Sequence, residues 1–210
     1  MRHSIIRKSL VSLAVIGALG LSACGGGGSG SSVTSGSLSS GVITGFGSVF
    51  VNGIEYDTSG ASIMVNGIPA NESDLAVGMV VNLHGTANAN GTTGAALSID
   101  YRDDLEGIVQ QNNYTASGTL TVMGLTVRVD STTVFQSAVP AVTGFDTIQV
   151  GNIIEVSGNR LDNTTIQATR VEVKKASQNG DEIEVKGAIS MLTSTSFQIG
   201  TLTVDYSAAA

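Results

Sequence analysis

The stretch VGMVVNLHG, residues 77–85, returns in altered form as VGNIIEVSG at residues 150–158. Gly78 and Gly151 lie 73 residues apart, as do Gly85 and Gly158, and Ala96 and Ala168 lie 72 apart. A spacing that constant points to one small β-unit used more than once. The pair also fixes the period within the unit. Val81 and Leu83 correspond to Ile154 and Val156, all apolar, while Asn82 and His84 correspond to Glu155 and Ser157, all polar. Alternation of period two identifies a strand whose first set faces a core and whose second set is expected to face solvent.

The rest of each unit reads in the same terms. In SGVITGFGSVFVNGIEYDT, Asn52-Gly53 stands between Val49-Phe50-Val51 and Ile54-Glu55-Tyr56, and a second Asn-Gly, Asn66-Gly67, follows Ile63-Met64-Val65. Asn-Gly between apolar-rich runs is a strong hairpin signal, because both turn residues need positive φ. Ser73 or Asp74 is expected to cap one helical turn through Leu75, Gly78 to turn the chain into the strand Val80–His84, and AALSIDY (95–101) to close the unit. The second unit repeats the order with LEGIV (105–109), LTVMGLTVRVD (120–130) with Gly124 at the corner, GFDTIQVGNIIEVSG (144–158) and IQATRVEV (166–173). A third begins at VKGAIS (185–190) and runs on through FQIGTLTVDY (197–206), the first half of a unit only. With 27 glycines, 13% charged residues and no amphipathic helical run, the chain predicts an all-β protein. The expected architecture is tandem small OB- or SH3-like β-barrel units of about 70 residues, the third truncated. A two-sheet sandwich is the alternative. Units this small bury only about 60% of their chain surface, so the two full ones are expected to pack together.

The N-terminus carries an address. Arg2, Arg7 and Lys8 precede the apolar run Leu10 to Leu21. Twelve residues of helix rise about 18 Å, too short for a hydrocarbon core of about 30 Å, so the pattern is that of a secretory signal. Leu21-Ser22-Ala23-Cys24 resembles the lipobox of bacterial lipoproteins. The resemblance implies cleavage between Ala23 and Cys24, a diacylglycerol on the Cys24 sulfur and acylation of the new amino terminus. Several acyl chains on one residue exceed what stable anchoring requires. Cys24 is the one cysteine of the chain, so no intramolecular disulfide is available. GGGGSGSSVTSGSLSSG (25–41) reads as a disordered Gly/Ser tether. By resemblance to enterobacterial sorting rules, Gly25 in place of Asp points to the outer membrane. The expected organisation is therefore a signal peptide over 1–23, the lipidated cysteine and linker over 24–40, β-units over 41–102 and 103–176, and a partial unit over 177–210.

Beyond the signal, seven basic residues face 17 acidic ones, a net charge of −10. Such a body repels phosphate backbones, and its aromatics (Phe50, Tyr56, Phe135, Phe197) fall at positions expected to be core, so no nucleic-acid partner is expected. GFGS (45–48) lacks the Lys-Ser/Thr of a phosphate loop and reads as a bulge at a barrel corner. Asp100, Asp103, Asp104 and Glu106 in DYRDDLEG are expected to form a solvated connector; calcium is the alternative, although their spacing lacks the ligand ladder of an EF-hand. QNGDEIEV (178–185) reads as a second polar linker. Once His3 leaves with the signal, His84 is the sole histidine, so no catalytic residue, cofactor or metal site is assigned.

GFGSVFVNGIEYDTS, DLAVGMVVNLHG, LTVMGLTVRVDSTTVF, GFDTIQVGNIIEVSG, ATRVEV and FQIGTLTVDYS together resemble a bacterial family catalogued as domain of unknown function 5666, over most of residues 41–206. The resemblance implies secreted lipoproteins with tandem β-units, and brings no catalytic residues. The expectation is a non-enzymatic envelope protein, held to the membrane by lipid, whose barrels bind or scaffold an envelope protein or polysaccharide. A glycan hydrolase using paired carboxylates and a passive surface lipoprotein are the rival readings.

Overall fold

The computed structural model describes residues 36–176 and 183–209, all within the compact unit Thr34–Ala210. The first repeat opens with β1 (Ser37–Gly45), which reaches back into the Gly/Ser stretch because Ser37–Ser40 pair with Asn82–Gly85 of a later strand. Its register shifts between Ile43 and Gly45, at the GFGS segment, and the chain returns as β2 (Val49–Val51). Asn52 and Gly53, at φ +53° and +78°, turn it into β3 (Ile54–Asp57). Asn66 and Gly67, at +50° and +79°, join β4 (Ser62–Val65) to β5 (Ile68–Ala70). Both corners have the positive φ values that their Asn-Gly pairs predict. A 3₁₀ turn, Glu72–Asp74, then leads to β6 (Val80–Ala87) and β7 (Thr93–Tyr101). This turn starts at Asn71, ahead of the expected cap: the Asn71 N–H donates to the Asp74 carboxylate at 2.8 Å.

The sheet order makes the barrel. β1 pairs with β2 on one side and β6 on the other; β6 pairs with β7, and β7 runs parallel to β3, closing a five-stranded circuit. Such a circuit is a small barrel of the OB kind. β4 lies parallel to the far end of β7, with β5 outside it.

The second repeat follows the same path. β8 (Leu105–Asn113), a helical turn at Tyr114–Ser117, β9 (Thr119–Val122) and β10 (Leu125–Arg128) precede β11 (Val134–Ser137), a 3₁₀ turn (Phe145–Thr147), β12 (Asn152–Arg160) and β13 (Thr165–Ala176). β13 closes in parallel on β10 and carries β11 in parallel on its other half. The constant glycine spacing now has a cause. The β6–β7 register slips between His84 and Gly85, and the β12–β13 register slips between Ser157 and Gly158. A Cβ at Gly158 would run into the carbonyl of Gln167, and one at Gly85 into that of Ala95, so both bulges require a residue without a side chain.

A third sheet holds β15 (Ile189–Ser190), β16 (Ser196–Ile199) and β17 (Leu202–Asp205), preceded by β14 (Glu184–Val185), which pairs with β8 of the second repeat. These are counterparts of the first three strands of a repeat.

Each full repeat has its own core. Ile43, Val49, Val51, Tyr56, Val81, Leu83, Ile99 and Tyr101 fill the first. Leu105, Val109, Leu120, Val122, Leu125, Val127, Ile154, Val156 and Ile166 fill the second. The four strand residues read as inward are all buried. Of the aromatics expected inside, Tyr56 lies in the first core and Phe135 at the margin of the second against Phe145. Phe197 lines a surface groove. Phe50 faces away from the first core, because its neighbours Val49 and Val51 take the inward positions of β2.

Candidate functional site

The two polar faces read as solvated part company. In the first repeat Asn82 is exposed and His84 half-buried, its Nε2 3.2 Å from the Gly36 carbonyl. In the second, Glu155 and Ser157 point out of their barrel yet are 6% and 1% exposed, because the first repeat packs over them. The Ser157 hydroxyl accepts from the Val80 N–H at 2.8 Å, and Thr169 Oγ1 donates to the Gly78 carbonyl at 2.6 Å. Gly78, at φ +91°, sits so close that a Cβ there would lie 2.8 Å from the Thr169 carbonyl oxygen and 2.9 Å from the Arg170 Cβ. A period-two reading assigns faces within one unit; it holds no information on what the neighbouring unit covers.

This face carries a row of acids, of which Glu155 is buried, Glu106 and Glu172 half-buried and Glu184 exposed. Registers place Glu184 opposite Glu106, Glu106 opposite Glu155, and Glu155 opposite Glu172, with Gln136 next to Glu172, across β14, β8, β12, β13 and β11. Directly opposed side chains on one face have Cβ atoms about 4.5–5.5 Å apart, and like charges there repel. The corresponding row in the first repeat is Ser40, Asn82, Asp100 and Met64, with a single acid.

Cations and one phenol hold the row together. Lys174 Nζ lies 3.0 Å from Glu155 Oε2 and 3.7 Å from Glu172 Oε1, and Arg170 Nη2 lies 3.0 Å from Glu172 Oε2. Arg170 also donates to Gln136 Oε1 at 2.5 Å. Burial pushes the Lys174 ammonium down, but Glu155, Glu172 and Glu106 outweigh it and hold it above its ordinary value. The Tyr101 ring belongs to the first core while its hydroxyl donates to Glu155 Oε1 at 2.8 Å across the seam. Burial, then the Glu155 charge, raises the phenol far above its ordinary range, so it stays a donor.

The connector between the repeats is a correction to the sequence reading. Asp103 is 1% exposed rather than solvated. Its carboxylate pairs with Lys186 at 3.2 Å, and the same ammonium pairs with Glu184 at 2.8 Å. Burial raises the Asp103 carboxyl, with Lys186 opposing. Asp104 accepts from the Gly158 N–H at 2.9 Å, and burial raises it too. Asp100 pairs with Arg102 at the surface. Asp100, Asp103 and Asp104 of DYRDDLEG thus take Arg102, Lys186 and the Gly158 N–H respectively, while Glu106 joins the carboxylates around Lys174. Among the described residues, no three His, Cys, Asp or Glu side chains come together so as to hold a metal ion. Nothing in their spacing announces this seam; its signal is the change from Asn82 to Glu155 at equivalent positions, with Lys174 two residues after Glu172.

Two open apolar grooves flank the barrels. One, of about 310 Å³, lies between the repeats, lined by Val42, Thr44, Val77, Thr132 and Val134. The other, of about 400 Å³, lies between β14 and the third sheet, lined by Ile183, Val185, Phe197, Ile199, Leu202 and Val204. Cys24 and Ala23, the lipidation and cleavage positions read from the sequence, lie outside the described residues, as do residues 178–182 of the second polar linker. No described helix is long and apolar enough to cross a membrane.

Fold and seam together define an all-β protein of tandem small barrels, joined by a buried, charge-compensated face. The chain matches the family model "Domain of unknown function (DUF5666)" twice, over residues 35–100 and 106–172, and belongs to that family. No curated protein and no solved structure matches it.

Proposed function

We propose that this chain is a lipid-anchored protein of the bacterial cell envelope, whose barrels act as a non-catalytic binding or scaffold module. The observation that carries the reading is Leu21-Ser22-Ala23-Cys24, placed directly after a 12-residue apolar run and holding the one cysteine of the chain. Acylation of Cys24 fixes the N-terminus in a bilayer, and the glycine- and serine-rich stretch that follows spaces the barrels from it. The outer membrane is the destination that Gly25 favours. An envelope protein or polysaccharide is the partner class, since the acidic body disfavours nucleic acid.

The binding role is supported by how the acids are used. Paired-carboxylate hydrolysis needs two acids facing an open cleft. Here Glu155 and Glu172 share Lys174, and Glu155 also accepts from the Tyr101 hydroxyl of the first repeat. Growth of the producing bacterium with radioactive palmitate tests the anchor. The natural chain is expected to take up label and sediment with membranes, and Cys24→Ala to lose both properties. Equal labelling of the two, or an unlabelled natural chain, overturns the reading.

A further inference from the structure

The two complete repeats differ at one sheet edge. In the first, β4 runs parallel to β7 on one side and pairs with β5 on the other, Ile63 with Ala70 and Val65 with Ile68. β11 is the counterpart of β4: Asn66 donates its N–H to the Tyr101 carbonyl at 2.9 Å, and Ala138 donates to that of Val173, the equivalent residue, at 2.8 Å. Among the described residues β11 pairs with β13 alone. The segment that corresponds to β5 is present and goes elsewhere, with Val139 and Val142 packed on the second core. The opening therefore lies inside the repeat, and its cause is the path of residues 138–143.

Alternation along the strand decides which groups face out. The main-chain groups of Ala138 point at β13, so those of Gln136 and Val134 do too, and the N–H and C=O of Phe135 and Ser137 point away. Among the described residues these outward groups have no partner. Buried main-chain groups are almost always paired, so a run of unpaired ones marks an edge that faces water. Both chain neighbours of the second repeat are in place, and neither takes this edge. The first repeat lies over Glu155 and Ser157 of β12, and β14 pairs with β8, away from β11 in the sheet order. The first repeat guards its own edge, because the outward position of β5 is Pro69, which has no N–H to offer.

We propose that β11 is the edge by which a second copy of this chain binds, strand against antiparallel strand, about a two-fold axis at Gln136. Phe135 of each copy then exchanges N–H···O bonds with Ser137 of the other, and every open group is satisfied by the same edge it belongs to. Gln136 falls opposite itself, as a non-hydrogen-bonded pair with Cα atoms about 4.5 Å apart. Its side chain argues for this occupant. Gln136 Oε1 accepts from Arg170 at 2.5 Å and keeps a second lone pair, while among the described residues its Nε2 has no partner. The same residue of a second copy supplies the missing acceptor and the missing donor together. Val134 meets Ala138 of the second copy beside the 310 Å³ groove that Val134 lines. Residues 131–145 hold no charge, so two acidic bodies can meet there. This contact goes beyond the lipid anchor and does not depend on it.

The test uses the purified full chain in detergent. Gln136→Cys is expected to form a covalent dimer on oxidation with copper phenanthroline, because facing Cα atoms about 4.5 Å apart lie within disulfide range. Asn90→Cys, on an exposed turn of the first repeat, is expected to stay monomeric. Hydrogen exchange at the Phe135 and Ser137 amides is expected to slow as the natural chain is concentrated towards about 1 mM. Ser137→Pro removes the outward donor without touching the β13 ladder, as Pro69 does on β5, and is expected to weaken association about tenfold or more. The proposal is overturned if the natural chain stays monomeric up to about 1 mM, or if Gln136→Cys cross-links no better than Asn90→Cys. Protection of the two amides at every concentration assigns the edge to another segment of the same chain, and dimers that Ser137→Pro leaves intact assign the contact to another surface; either result overturns it also.

Discussion

Gly78 and Gly151 are equivalent glycines with φ of +91° and +92°, and they differ in one respect. A Cβ at Gly151 would have nothing within 4 Å, whereas at Gly78 it would meet Thr169 O at 2.8 Å, Arg170 Cβ at 2.9 Å and Val134 Cβ at 3.1 Å. Alanine at either site bears the strain of a left-handed residue, about 1–2 kcal/mol. At Gly78 it also overfills the seam, at about 1–3 kcal/mol, because the atoms it meets are backbone or Cβ and have no flexible end to swing away. Displacing the loop further strains the Thr169 hydroxyl bond to the Gly78 carbonyl, about 1 kcal/mol. Gly151→Ala is therefore expected to destabilise by about 1–2 kcal/mol and Gly78→Ala by about 3–6. Urea unfolding of the two variants beside the natural chain measures the difference. A double-mutant cycle sharpens it: Thr169→Val is expected to cost about 1 kcal/mol in the natural chain and little in Gly78→Ala. Equal losses at the two glycines refute the close packing of the first repeat on β13.

Three further outcomes follow from the same contacts. Tyr101→Phe keeps the ring in the first core but leaves Glu155 without its donor across the seam, and is expected to lower unfolding stability by about 1–3 kcal/mol, with Glu155→Gln in the same chain recovering part of it. Gly158→Ala drives a methyl into the Gln167 carbonyl at the bulge; a loss above about 2 kcal/mol in a urea titration is expected, larger than for alanine at the unobstructed Gly151. Asp103 and Asp104 are raised above 3.8 by burial, so the folded state holds their protons more tightly than the unfolded state. The stability this contributes is complete below 3.8 and is lost as pH rises through the raised values, so stability above pH 3.8 is expected to fall more steeply in the natural chain than in Asp103→Asn/Asp104→Asn.

Much of a single barrel is legible in the chain, because its rules are local. Asn52-Gly53 and Asn66-Gly67 specify their turns through φ, and the alternation around Val81, Leu83, Ile154 and Val156 specifies a core. The 73-residue spacing marks the bulge glycines before any reason for them is visible. The parallel closures, Glu55 beside Thr93 and Thr126 beside Thr165, are not legible, because no local pattern records which distant strand completes a circuit. The seam escapes the sequence for a related reason. Glu155, Ser157 and Asp103 are polar, and polarity in a strand or connector points to water unless a second body removes it. The substitution of Glu155 for Asn82, with Lys174 nearby, is the trace of that burial, yet it identifies a charged contact without saying what covers it.

The parallel closures also govern when these barrels can come into being. A strand pairing that joins the early and late parts of a repeat must wait for its last segment to arrive, and such non-local topologies form slowly. The first barrel has a second dependency, since Gly78 and Val80 rest on Thr169 and Ser157, which are synthesised long afterwards. A chain made amino-end first can therefore close its first barrel once β7 has emerged, but leaves the Gly78–Val80 face of that barrel without its partners until Ser157 and Thr169 follow.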